Sequence, residues 1–256
     1  MLSPAELSYL LALPAFERLP CPKMALCYCQ SLLQRNKVRA HLPSSQISLL
    51  QQWASTPNSS LLLLDSSFRN LSKGVLVDLL NLINTSGKPL IWALRFPDYW
   101  DTDLSPSCIL RMLLTQALQL NPSSRSRPAS FSTSAQINSA STDKDWLQLL
   151  RQALTGIPRI FVAIDAGLLS AATDNSVYRA TRWLETVIRS VNTTSLKIFM
   201  AANALDEDYM SRNWEPEIWV RVYARTEKIR RGNRRRNDIR PARQKSSSSP
   251  IEWLAE

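Results

Sequence analysis

Histidine is nearly absent from this chain, glycine is scarce, and no apolar run is long. Among 256 residues there are one histidine, five glycines and four cysteines. The lone His41 has no recognisable motif around it, so Ser/His/Asp or Cys/His catalysis lacks a base. It reads as a surface loop residue. Cys21, Cys27, Cys29 and Cys108 are too few for a disulfide framework, and they lack the CxxC pairs or histidine partners of a zinc site. They read as buried free thiols of a reducing compartment. No uninterrupted apolar stretch reaches about 18 residues, which argues against a transmembrane helix. The opening MLSPAELSYLLALP lacks a basic start and carries Glu6 before a short apolar run, which is not a secretory-signal layout. Glu6 and Glu17 also count against a mitochondrial transit segment.

What is present is a real core and one charged extremity. With 45% hydrophobic and 20% charged residues, the chain can bury a domain of moderate size, and a wholly disordered protein is excluded. The net charge of +10 is not spread evenly: Arg225–Lys245 holds ten basic residues against Glu227 and Asp238. The high pI therefore describes a tail and not the globular body.

The pattern divides the chain into three parts. Residues 1–57 read as a helical lead-in, with Ser3-Pro4-Ala5-Glu6 as a helix start, a periodic stretch over Lys23–Gln34, and SSQISLLQQWAS as a third helix. Residues 58–224 alternate strands with amphipathic helices, the signature of a parallel α/β sheet. SSLLLLD, PLIWALR, RIFVAID, LKIFMAAN and EIWVRVYA are the strands, the last of them at an edge, which makes one doubly wound sheet of about five strands. Residues 122–142 are Ser-rich and read as a mobile loop, with Thr142 or Ser141 capping the next helix. Residues 225–256 form a basic tail with too little apolar surface to order itself.

Two places carry candidate chemistry. LLLLDSSFRNLSKGVLVDLL runs from a strand through polar residues into a helix, the layout of a phosphate-binding P-loop. Laid on GxxxxGK[ST], it puts Ser67 and Ser72 at the glycine positions, Lys73 at the lysine, and Gly74 where a magnesium-binding hydroxyl belongs. RIFVAIDAGLL ends a second strand in Asp165, from which a carboxylate can bind magnesium, or which can simply cap the following turn. The residues after it, Gly167, Leu168 and Leu169, supply no second acid to orient water.

The order of SSLLLLDSSFRNLSKGVLVDLL, GKPLIWALR, LLTQALQLNP, DWLQLLRQALTGIPRIFVAIDAGLL and LKIFMAAN resembles the P-loop NTPase-like module of large fungal proteins related to the NACHT and STAND signalling ATPases, over about residues 45–205. The resemblance implies a P-loop NTPase-like doubly wound fold acting as a switch or scaffold. It matches Lys73 to the Walker A lysine and Asp165 to the Walker B aspartate, and sets Asn203 near the position that senses the γ-phosphate. Ser67, Ser72, Lys73, Asp165 and Asn203 are thus the candidate nucleotide residues. No cofactor is required on this reading, with weak ATP or GTP binding as the alternative.

The expectation is a non-catalytic protein-interaction or signalling module with other proteins as partners, in the cytoplasm or nucleus. One alternative is an NTP-binding switch with little or no hydrolysis. A second is a nuclear or nucleic-acid-associated protein in which Arg230, Arg231, Arg234, Arg235 and Arg236 bind a polyanion or an import receptor. The same tail composition also suits a purely solvated extension or contact with an anionic membrane surface, and Ser246–Ser249 are candidate phosphorylation sites.

Overall fold

The computed structural model describes residues 4–35, 39–41, 43–66, 69–95, 104–120, 130–201, 205–215 and 218–227. The N-terminal part comprises α1 (Pro4–Leu11), α2 (Pro14–Glu17), α3 (Pro22–Arg35), β1 (Arg39–His41) and α4 (Ser44–Ser55). Then follow β2 (Ser60–Ser66), α5 (Arg69–Thr85), β3 (Leu90–Ala93), α6 (Pro106–Leu120), α7 (Ser130–Ser139) and α8 (Asp143–Leu154). The chain continues through β4 (Arg159–Ile164), α9 (Ala166–Ala172), α10 (Val177–Ser190), β5 (Ser195–Ala201), α11 (Glu207–Asn213) and β6 (Trp219–Glu227).

Local chemistry sets many of these boundaries. Proline, with φ already fixed and no N–H to orphan, opens α1, α2, α3 and α6. Thr142 caps α8 in a reciprocal box: its hydroxyl accepts from the Asp145 N–H, and the Asp145 carboxylate accepts from the Thr142 N–H. Gly87, at φ 69°, takes the left-handed turn after α5 that a side chain would resist, with Pro89 beyond it.

The strands form one sheet in the order β1-β6-β2-β5-β4-β3. From β6 to β3 all five are parallel, joined by helical crossovers, while β1 runs antiparallel to β6. Alternation along β2 sends Leu61 and Leu63 into one layer with Ile91, Ile160 and Ile198. Leu62 and Leu64 enter the other layer with Phe161, Phe199 and Leu80. Residues from α1, α2, α6 and α8 to α11 pack in the first layer, and those of α3, α4 and α5 in the second. Each fully buried Leu contributes on the order of 2 kcal/mol of transfer free energy.

Several sequence expectations change. The N-terminal stretch is not purely helical: it supplies β1, which carries His41 and so makes it a strand residue, not a loop residue. Leu10, Leu13 and Phe16 join the same core as the sheet. The last strand is not a bare edge, because Arg225–Glu227 pair with β1; β6 therefore extends past 224 into the stretch assigned to the tail. The Ser-rich segment 122–142 is not all loop, since it contains α7, anchored by the buried Ile137. One isoleucine among serines gives no readable period. Two of the four cysteines, Cys21 and Cys27, are exposed rather than buried, and all four are free thiols.

The sheet edges are closed by glutamines. Gln116 of α6 bonds both backbone groups of Trp92 on β3, and Gln46 of α4 accepts from the outward Tyr223 N–H on β6 at 3.1 Å. Each amide replaces part of a missing neighbouring strand.

Candidate functional site

Ligand crevices in open parallel sheets lie at the strand C-termini, where successive connections leave to opposite faces. Here β2 is followed by α5 on one face, and its neighbour β5 is followed by α11 on the other. β5 separates β2 from β4, so the first strand and the Asp165-bearing strand, whose ends the expected P-loop topology makes neighbours, are not adjacent. Lys73 and Asp165 nevertheless meet across the β5 end, with Nζ 3.4 Å from Oδ2.

Asp165 is 5% exposed and serves two partners. As the cap of α9 its Oδ1 accepts from the Gly167 N–H at 2.7 Å, and its Oδ2 faces Lys73. The cap and the ion pair thus use both oxygens. Gly167 makes the convergence tight: a Cβ there would stand 3.1 Å from Asp165 Oδ1, 3.6 Å from Arg95 Nη1 and 3.7 Å from Lys73 Nζ. Arg95, at the end of the β3 segment, therefore joins the cluster, and the Cys29 thiol donates to its carbonyl at 3.8 Å. Burial pushes the Cys29 pKa up to about 11, with the Asp165 charge adding to the rise and Lys73 opposing it, so the thiol stays protonated and unreactive at neutral pH.

The P-loop layout does not survive in the backbone. The motif register spans positions 67–74, yet α5 already begins at Arg69, so Lys73 sits more than a turn inside the helix. A phosphate-wrapping loop needs successive free N–H groups ahead of the lysine, and most of that stretch has become helix. The Gly74 position faces α3, because a Cβ there would lie 3.4 Å from Leu33 Cδ2 in ordinary contact. The helical backbone of 69–74 is not the open loop that wraps a triphosphate, and Asp165 already holds one N–H and one lysine. Among the described residues no group of three His, Cys, Asp or Glu side chains could hold a metal ion.

Of the other expected site residues, Ser72 lies in α5. Ser67, Asn203 and Arg230, Arg231, Arg234, Arg235 and Arg236 lie outside the described residues, as does the expected disorder of the tail. Sequence reasoning missed Arg95 and Cys29. A charged residue just after a buried parallel strand was the available signal for Arg95; nothing local marked Cys29, which reaches the site through the packing of α3 on α5.

A second charge cluster stands nearby. Arg221 of β6 donates to Asp65 at the end of β2, 2.6 Å away, and to Glu207 in the first turn of α11. Its guanidinium lies 5.2 Å from the Tyr223 ring centroid. This network ties β2, β6 and α11 together beside the crevice.

Comparison of the chain with protein-family models, with curated proteins and with solved structures finds no match. No helix among the described residues is long and apolar enough to cross a membrane.

Proposed function

We propose that this chain is a non-catalytic protein-interaction or signalling module, built on an eroded P-loop NTPase-like scaffold of the STAND and NACHT kind and working in the cytoplasm or nucleus. One observation carries the reading: the motif register is occupied by helix from Arg69 onward, and its lysine is paired with the one carboxylate that would otherwise hold magnesium. Phosphoryl transfer needs a phosphate cradle, a metal and an oriented water; helix over the motif register and the Asp165–Lys73 pair weigh against the first two, and Gly167, Leu168 and Leu169 supply no acid for the third. What remains is the C-terminal end of the sheet, where Lys73 and Asp165 bind each other.

A second reading, an NTP-binding switch with little or no turnover, draws on the approach of Lys73 and Arg95 to one point beside Gly167. Titration of the purified chain with ATP and GTP, with and without magnesium, separates the two. The expected result is no hydrolysis above background and, at most, weak binding that Lys73→Ala removes. Magnesium-dependent hydrolysis lost in both Lys73→Ala and Asp165→Ala would overturn the proposal.

A further inference from the structure

At the opposite end of the sheet, Lys197 of β5 has no exposed surface. Its ammonium donates to the Asn58 carbonyl at 2.7 Å and to Ser60 Oγ at 2.9 Å. Among the described residues no ion pair includes it. A buried ammonium without a counter-charge is strongly unfavourable. The elements around it offer no relief. α4 carries no ionisable side chain, β2 presents Ser60, and β4 presents Phe161 and the cationic Arg159. The one carboxylate of α5, Asp78, belongs to an exposed residue.

Beyond the Asn58 carbonyl and Ser60 Oγ that Lys197 already bonds, two buried donors on this face lack an acceptor among the described residues. Lys197 pairs in register with Ser60 and Phe161, and Phe199 follows it on the same face. Trp53 of α4 packs edge-on against both rings, at 5.8 Å from Phe161 and 6.2 Å from Phe199, the two aromatic neighbours of Lys197 on this face of the sheet. Among the described residues the buried Trp53 Nε1 has no hydrogen-bond partner, and neither has Ser195 Oγ, one place down the same face of β5. Arg159, paired with Ser195, spends its guanidinium on the carbonyls of Ala54 and Ser55 at 3.0 and 3.3 Å. An ammonium, an indole N–H and a hydroxyl with no acidic acceptor form the donor set that a halide takes.

We infer that the base of β5 beneath α4 is a binding site for a small monovalent anion of the chloride class, held by Lys197 Nζ, Trp53 Nε1 and Ser195 Oγ. Phe161, Phe199 and Trp53 close the surroundings with apolar rings, which selects a compact ion over a polyatomic one. A water molecule would serve the indole and the hydroxyl but would leave the charge uncompensated. Burial, with Arg159 adding to it, lowers the Lys197 pKa to about 8. Anion binding and lysine protonation are therefore linked, and the affinity for the anion strengthens as pH falls through that value.

The test is thermal unfolding of the whole chain in sodium chloride against sodium gluconate at equal ionic strength. At pH 7 raising chloride from 5 to 300 mM should lift Tm by about 5 °C relative to gluconate, and the gain should shrink above pH 9. Lys197→Met, close in volume, should abolish the chloride dependence, and Trp53→Phe, which keeps the lysine and the ring packing, should weaken it. A crystal grown in bromide should show an anomalous peak within about 3.5 Å of Lys197 Nζ. Equal Tm in the two salts, or density at the site without anomalous signal, would overturn the inference.

Discussion

The side-chain amide of Gln116 holds both backbone groups of Trp92. Its Oε1 accepts from the Trp92 N–H at 3.1 Å, and its Nε2 donates to the Trp92 carbonyl at 2.7 Å and to the Met112 carbonyl at 2.8 Å. Gln116 is buried, so neither group of Trp92 has water as a ready substitute. Gln116→Leu should therefore destabilise the fold by about 2–4 kcal/mol, read as a lower urea midpoint with unchanged slope. A loss below about 0.5 kcal/mol would mean that solvent reaches the β3 edge.

Asp165 can be divided into its two roles. Asp165→Asn keeps an oxygen for the Gly167 N–H and gives up only the attraction of a half-exposed lysine, so it should cost under about 1 kcal/mol. Asp165→Ala also removes the cap and should cost about 1–2 kcal/mol more. Urea melts of the two variants decide it. Equal losses would show that the ion pair, not the cap, is what this residue contributes.

Lys197 gives the fold a signed dependence on pH. Its pKa is lowered in the fold from 10.5 to about 8, so between those values the unfolded chain binds the additional proton. Stability measured without chloride should rise as pH climbs from 8 to 10.5, by on the order of 3 kcal/mol, and should show no slope from this group below 8. Lys197→Met should flatten that segment of the pH–stability curve. A variant curve that keeps the full slope would assign it to another group.

Arg221 is shared by two carboxylates that stay close when it is removed. Arg221→Met should leave Asp65 and Glu207 facing each other across β6 and cost about 1–3 kcal/mol at pH 7. Chemical denaturation of wild type and variant measures the cost, and adding Glu207→Gln to Arg221→Met should recover part of it; no recovery would point to lost packing on Tyr223.

The parallel body of the fold was legible because its strands are continuous apolar runs and its helices carry period-3.6 faces, as in β2 and α10. Strand order was less so: nothing in RIFVAID or LKIFMAAN says which lies next to β2, and in the sheet it is β5 and not β4. The meeting of Lys73 and Asp165 was legible from motif position. That α5 starts at Arg69 was not, because the polar run SSFRNLS reads equally as loop or as an exposed first turn. β1 was too short to announce itself, and α7 hid in low-complexity serine. Gln116, Gln46 and Lys197 act through long-range hydrogen bonds, to which local pattern is blind. A lysine inside the apolar run that follows Ser195 was still visible in SLKIFMA, and it is the one cue there that could have been pursued.

β6 outruns its neighbour: β2 pairs with it as far as Ala224, and the last three residues, Arg225–Glu227, are matched to His41, Ala40 and Arg39. The arginine-rich stretch starts at Lys228, directly after the Glu227–Arg39 rung. A pull on the chain beyond Glu227 thus loads that antiparallel pairing from the Glu227–Arg39 rung, one rung at a time, as a zip and not as a shear joint. Opening by peeling needs far less force than sliding strands past each other, and the first segment released on the other side is Arg39–His41, which connects α3 to α4. Traction on the C-terminal end would be felt first by the N-terminal helices.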